Sequence, residues 1–224
     1  MRYIPALLLF IFLNATAHAA EPDGSAFLDG GNSKVAVILC HGRAGGPTEK
    51  VVDPLRKALN NKLGIHTLSL QLPNDRKPWK RYKEDFPDAY KTIAEGIRFL
   101  REEKGVKTIY LMGYSMGGRM STAFLAKNPN SGIAGYIGVG LRNGKGKGGV
   151  LDSLANLLRA PALPVMDVWG TGGDGRDAAH AARRARLANR QPYTTAVIEG
   201  ASHSYEGYDK QMTDPIVAWL KGRL

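Results

Sequence analysis

Gly113-Tyr114-Ser115-Met116-Gly117 sets a serine between glycines, just after the apolar run Thr108–Tyr114 and at the head of a helix-like segment that starts at Met116. A sharp strand-to-helix turn of this kind holds the serine in a strained conformation and exposes its hydroxyl, and its neighbours must lack side chains that would collide. The N–H groups of a helix's first turn have no intrahelical acceptor and face a developing anion, so Met116 N–H is the expected oxyanion donor. Such a hydroxyl attacks a carbonyl carbon when a base removes its proton.

His203, in Gly200-Ala201-Ser202-His203 just past the strand-like run Thr194–Glu199, is the expected base. His18 falls in the leader described below, His66 opens a strand and His180 lies inside a helical pattern, so they fit less well. An acid must then orient the imidazole. Asp174 sits in the loop Trp169-Gly170-Thr171-Gly172-Gly173-Asp174-Gly175-Arg176-Asp177 and is the expected third member. Asp177 is the alternative, since it could equally cap the following helix. Asp167 is mid-strand, and the turn after Val139 offers no acid before Asp152. A second oxyanion donor is expected at Arg43 N–H, in the turn His41-Gly42-Arg43-Ala44-Gly45-Gly46, where His41 otherwise reads as a packing residue.

These residues need a scaffold that brings several loops to one edge. Val35–Cys40, Ile65–Leu70, Thr108–Tyr114, Ile133–Val139, Pro164–Trp169 and Thr194–Glu199 read as short strands, several of them almost uninterrupted apolar runs. Helical patterns over Glu49–Leu63, Pro87–Lys104, Met116–Asn128, Leu151–Arg159, Arg176–Asn189 and Asp214–Leu220 alternate with them. Alternation of this kind predicts an α/β fold with a mostly parallel sheet of about six strands and helices on both faces. Functional residues then gather at the carboxyl ends of the strands.

The order Ser, Asp, His along the chain, with the segments Val37–Gly42, Gly113–Gly118, Gly170–Asp174 and Gly200–His203, resembles a compact α/β-hydrolase from Val35 to the C-terminus. It is similar in size to the dienelactone hydrolase and small carboxylesterase or acyl-thioesterase branches. The resemblance implies a carboxylic ester or thioester substrate, an acyl-enzyme intermediate and no cofactor or metal. Dienelactone hydrolases use cysteine as nucleophile, so their substrate class is not carried over to Ser115. The acid loop holds an extra glycine, which keeps Asp177 open beside Asp174, and the chain before Val35 is short for the two strands that often open this fold.

Two other classes compete. Gly170-Thr171-Gly172-Gly173-Asp174-Gly175 also fits the G-x-G-x-x-G dinucleotide pattern, with Glu199 following at roughly the right distance. Only about 50 residues follow it, too few for the remaining units of a dinucleotide fold. A binding protein that kept the fold without the reaction is the third class.

The 224 residues carry 31 Lys and Arg against 20 Asp and Glu, a formal charge of +11. The basic residues cluster in Arg76–Lys83, Leu141–Lys147 and Arg183–Arg190 without a zinc or nucleic-acid motif, so nucleic acid is not an expected partner. The charge suits either solubility or an anionic small-molecule substrate. Gln71–Phe86 and Gly140–Gly149 should border the site, the latter as a flap or a solvated loop. The single Cys40, at the end of a strand, reads as packed and inert. Arg2, the apolar run Ile4–Leu13 and Ala17-His18-Ala19 read as a signal peptide over residues 1–19, leaving one domain over 20–224, located in the periplasm or secreted, without stable membrane insertion.

Overall fold

An apolar residue at nearly every position of Val35–Cys40 leaves no face for water, so this strand must be covered on both sides. The computed structural model, which describes residues 19–75, 78–144 and 149–224, shows this arrangement. Among the described residues there are seven strands: β1 (Ala26–Leu28), β2 (Val35–Cys40), β3 (His66–Leu70), β4 (Thr108–Tyr114), β5 (Ile133–Val139), β6 (Val165–Gly170) and β7 (Tyr193–Ile198). The helices are α1 (Val52–Leu63), α2 (Phe86–Glu102), α3 (Ser115–Lys127), α4 (Ser153–Arg159), α5 (Arg176–Arg184) and α6 (Asp209–Lys221).

The sheet order is β1-β3-β2-β4-β5-β6-β7, with every pairing parallel except that of β1 with β3. Alternate residues of β2 feed two cores. Ala36, Ile38 and Cys40 join Ile93 and Leu100 of α2 and Met120 and Phe124 of α3. Val37 and Leu39 join Leu55 and Leu59 of α1 and Ile216 and Leu220 of α6 on the other face. Cys40 is fully buried and burial pushes its thiol pKa upward, so it is a packing residue.

Three features differ from the sequence expectation. A three-residue strand, β1, precedes Val35 and adds an antiparallel edge, so the sheet has seven strands. Helix α6 begins at Asp209 although Pro215 lies inside it. Met212, Ile216 and Leu220 recur at four-residue spacing and are fully buried, and that burial outweighs the N–H that proline lacks. The expected helix over Arg176–Asn189 is α5 followed by a 3₁₀ turn, Ala185–Asn189.

The expected signal segment lies outside the described residues except for Ala19, as do Arg76 and Lys77 and the centre of the glycine-lysine loop, residues 145–148. No described helix is long and apolar enough to cross a membrane.

Candidate active site

Ser115 opens α3 directly from the end of β4 and has φ +52°, a left-handed conformation that is costly for a residue with a side chain. Its glycines are required by contact. A Cβ on Gly117 would come within 2.3 Å of the Cys40 and His41 carbonyl oxygens, and one on Gly113 within 2.4 Å of Ser121 Oγ. Gly117 therefore lets the turn close against the end of β2, and Gly113 lets α3 and the Tyr136 hydroxyl pack against β4.

His203 Nε2 lies 2.9 Å from Ser115 Oγ, and its Nδ1 lies 2.9 Å from Asp177 Oδ2. A carboxylate accepts, so Nδ1 carries the proton and Nε2 is left to accept from the serine hydroxyl. This corrects the expectation for the acid. Asp174 is 53 % exposed and its carboxylate engages Arg176, capping the backbone N–H and pairing with the guanidinium. Asp177, on the first turn of α5, is 4 % exposed and faces the imidazole. The loop spends Gly172 and Gly173 on passing residues 200–202 and Asp174 and Gly175 on turning into α5, so Asp177 comes only once the helix has begun. A Cβ on Gly170 or Gly172 would meet the Ala201 or Gly200 carbonyl at 2.1 and 2.2 Å. Those glycines are explained by the close approach of two backbones, which removes the reason for reading them as a dinucleotide fingerprint.

Tyr114, unnoticed in the sequence, supports His203. Its hydroxyl donates to His203 O at 3.0 Å, and the two rings lie 5.5 Å apart. Burial pushes its phenol pKa up to about 12, so it remains a donor in neutral and mildly alkaline solution. Tyr205, at φ +56°, packs its ring on Tyr114 and donates its hydroxyl to Val168 O at 3.2 Å.

Met116 follows Ser115 in the chain, and Arg43 lines the same cleft as Ser115. Met116 is the second residue of α3 and is buried, while Arg43 lines a cleft of about 200 Å³ with His41, Glu49, Lys50, Ser115 and His203. The turn that carries Arg43 is held from beneath. His41 is buried; its Nε2 accepts from Leu72 N–H at 3.1 Å, so Nδ1 holds the proton and donates to Gly42 O at 2.8 Å. Burial lowers the His41 pKa, and the neutral ring acts as a bracket. Arg43 Nε donates to Tyr82 Oη at 3.0 Å, and Tyr82 in turn donates to Asp75 O at 2.7 Å. Ala44 and Lys50, at φ +52° and +47°, bracket the same loop. A larger cleft of about 470 Å³ lies at the far end of α3 near Phe124 and Asn128, and the Ser115–His203 pair is not part of it.

Residues 35–143 match the family model for the alpha/beta hydrolase fold. Solved structures with the same architecture include Est1E from Butyrivibrio proteoclasticus with ferulic acid bound, at TM-score 0.67 and 14 % identity over 88 % of this chain and 94 % of that one. A dienelactone hydrolase from Anabaena variabilis aligns at TM-score 0.67 and 15 % identity over 88 % and 90 % of the two chains. A monoacylglycerol lipase from Paleococcus ferrophilus aligns at 0.62 and 16 % over 89 % and 98 %. No curated protein sequence matches the chain. The protein has the α/β-hydrolase fold.

Proposed function

We propose that the protein is an exported serine hydrolase that cleaves a carboxylic ester or thioester by two-step acyl transfer. The observation that carries this reading is the relay from Ser115 Oγ through His203 to Asp177, with 2.9 Å at each step. Ser115 attacks the carbonyl carbon as His203 Nε2 takes its proton, and Asp177 stabilises the imidazolium. The N–H groups of Met116 and Arg43 stabilise the tetrahedral oxyanion. His203 then protonates the leaving alcohol or thiol. In the second step it removes a proton from water, which attacks the acyl-enzyme and frees Ser115.

The cleft of about 200 Å³ favours a compact acyl group over a long lipid chain. Arg43 and Lys50 on its wall favour an anionic or polar substrate, tempered by Glu49 beside them. Export rests on the leader-like pattern of residues 1–19.

Steady-state hydrolysis of short-chain p-nitrophenyl esters by the wild type, Ser115→Ala and His203→Ala tests the reading. We expect turnover in the wild type and its loss in both folded variants. Turnover persisting in Ser115→Ala would sink it.

A further inference from the structure

Three consecutive residues after β5 are gripped by one face of α5. Asp177, His180 and Arg184 stand at i, i+3 and i+7 of that helix and therefore share a face. Arg184 Nη1 donates to Leu141 O at 2.7 Å. Asn143 donates its backbone N–H to His180 Nδ1 at 3.2 Å and its amide to His180 O at 2.9 Å. Between them Arg142 Nη2 lies 3.0 Å from Asp177 Oδ1. The grip is anchored in the sheet, because Arg184 makes two bonds to Asp167 of β6, at 2.8 and 3.0 Å, with both side chains fully buried.

The Asp177 carboxylate is thus held at both oxygens, Oδ2 by His203 and Oδ1 by Arg142, whose side chain is 12 % exposed. Neither Asp177 Oδ1 nor Arg142 Nη1 has a hydrogen-bond partner among the described residues, so the contact is charge against charge, away from in-line bonding geometry. Partial burial shields such a pair from salt screening.

Among the neighbouring charges Arg184 also acts on Asp177 through space, while its own ion pair is with Asp167. Arg184 of α5 is matched by Asp167 of β6, Arg119 of α3 faces Asp152 ahead of α4, and Arg176 of α5 is matched by Asp174. His180 is pushed down to about 4, first by burial and then by Arg142, so it is neutral at neutral pH. Tyr114 of β4 and Tyr205 of the loop after β7 are raised by burial and stay protonated.

We propose, resting on the relay described above, that Arg142 is a positioning residue for the site. It locks the Asp177 carboxylate onto His203 and offsets its charge, so that the imidazolium formed in each proton transfer gives its proton up again. Without Arg142, a buried carboxylate that has lost its ion-paired cation faces His203 and stabilises the charged ring.

The test is an NMR titration of the His203 imidazole in the wild type, Arg142→Gln and Arg142→Lys, beside kcat/KM–pH profiles on a short-chain p-nitrophenyl ester. In Arg142→Gln the imidazole midpoint and the acid limb of the profile move up together by about one pH unit. In Arg142→Lys both stay near the wild-type position, because the ammonium keeps the charge that faces the carboxylate. An imidazole midpoint unchanged in Arg142→Gln overturns the proposal. Should that variant not fold, Arg142→Met repeats the neutral substitution, and an unchanged midpoint there, or a displaced one in Arg142→Lys, overturns it. The NMR midpoint is read without turnover, so failure of the Ser115 reading, seen as activity in Ser115→Ala, is distinguishable.

Discussion

His203 turns its Nδ1 towards Asp177, at 2.9 Å from Oδ2, and away from Asp174 three residues earlier. The difference lies in where each carboxylate is held. Asp174 caps the turn and pairs with Arg176 in solvent, where Arg176 holds its pKa below the ordinary carboxylate value, first through the backbone N–H. Asp177 is carried inward by the first turn of α5. Asp177→Asn should therefore lower kcat by about 10³- to 10⁴-fold, because the amide favours the wrong tautomer. Asp174→Asn should change it by less than about twofold, as expected of a surface substitution. Kinetics on one short-chain ester compares them directly, and the reverse ranking would reassign the acid.

The hydroxyl of Tyr114 ties the backbone of the base to β4. Tyr114→Phe keeps the ring against His203 and removes a single bond, so kcat should fall by about 2- to 10-fold. KM for a small ester should stay as it is. An unchanged kcat would make the tyrosine a packing residue only.

His180 couples stability to pH. Burial, then Arg142, Arg184 and Arg119, push it from the ordinary 6.5 to about 4. The folded chain thus binds this proton less readily than the unfolded chain. Stability from this source is fully present above pH 6.5 and is lost as pH falls towards about 4. The position is half-buried, so the effect is modest. Thermal midpoints measured across this window should fall less steeply in His180→Gln than in the wild type. Parallel curves would assign the loss to other groups.

Gly172→Ala should lower the thermal midpoint and displace the His203 loop, since its Cβ would meet Gly200 O at 2.2 Å. Ester hydrolysis should fall with it, and titration of the wild type with NADH should give no saturable binding. Saturable binding would revive the dinucleotide reading of residues 170–175.

The parts legible in the sequence are those fixed by local chemistry. The run Val35–Cys40 shows a strand covered on both faces, and Gly113–Gly117 shows the strained turn, because each needs only neighbours in the chain. The nearness of His203 to Ser115 was legible from its place after β7. The choice between Asp174 and Asp177 was not, because it depends on how many residues the loop uses to pass Gly200 and Ala201. Helix periodicity carries a signal for Arg142 only after α5 is docked, when Asp177, His180 and Arg184 meet residues 141–143. Strand β1 is three half-buried residues, too short to show a period.

The central claim is that Ser115 is a nucleophile activated by His203. Treating the folded protein with a fluorophosphonate probe and mapping the adduct by mass spectrometry tests it most directly. The account predicts a single adduct on Ser115, absent from Ser115→Ala and formed far more slowly in His203→Ala. An adduct on another residue, or a folded wild type that stays unlabelled, would contradict it.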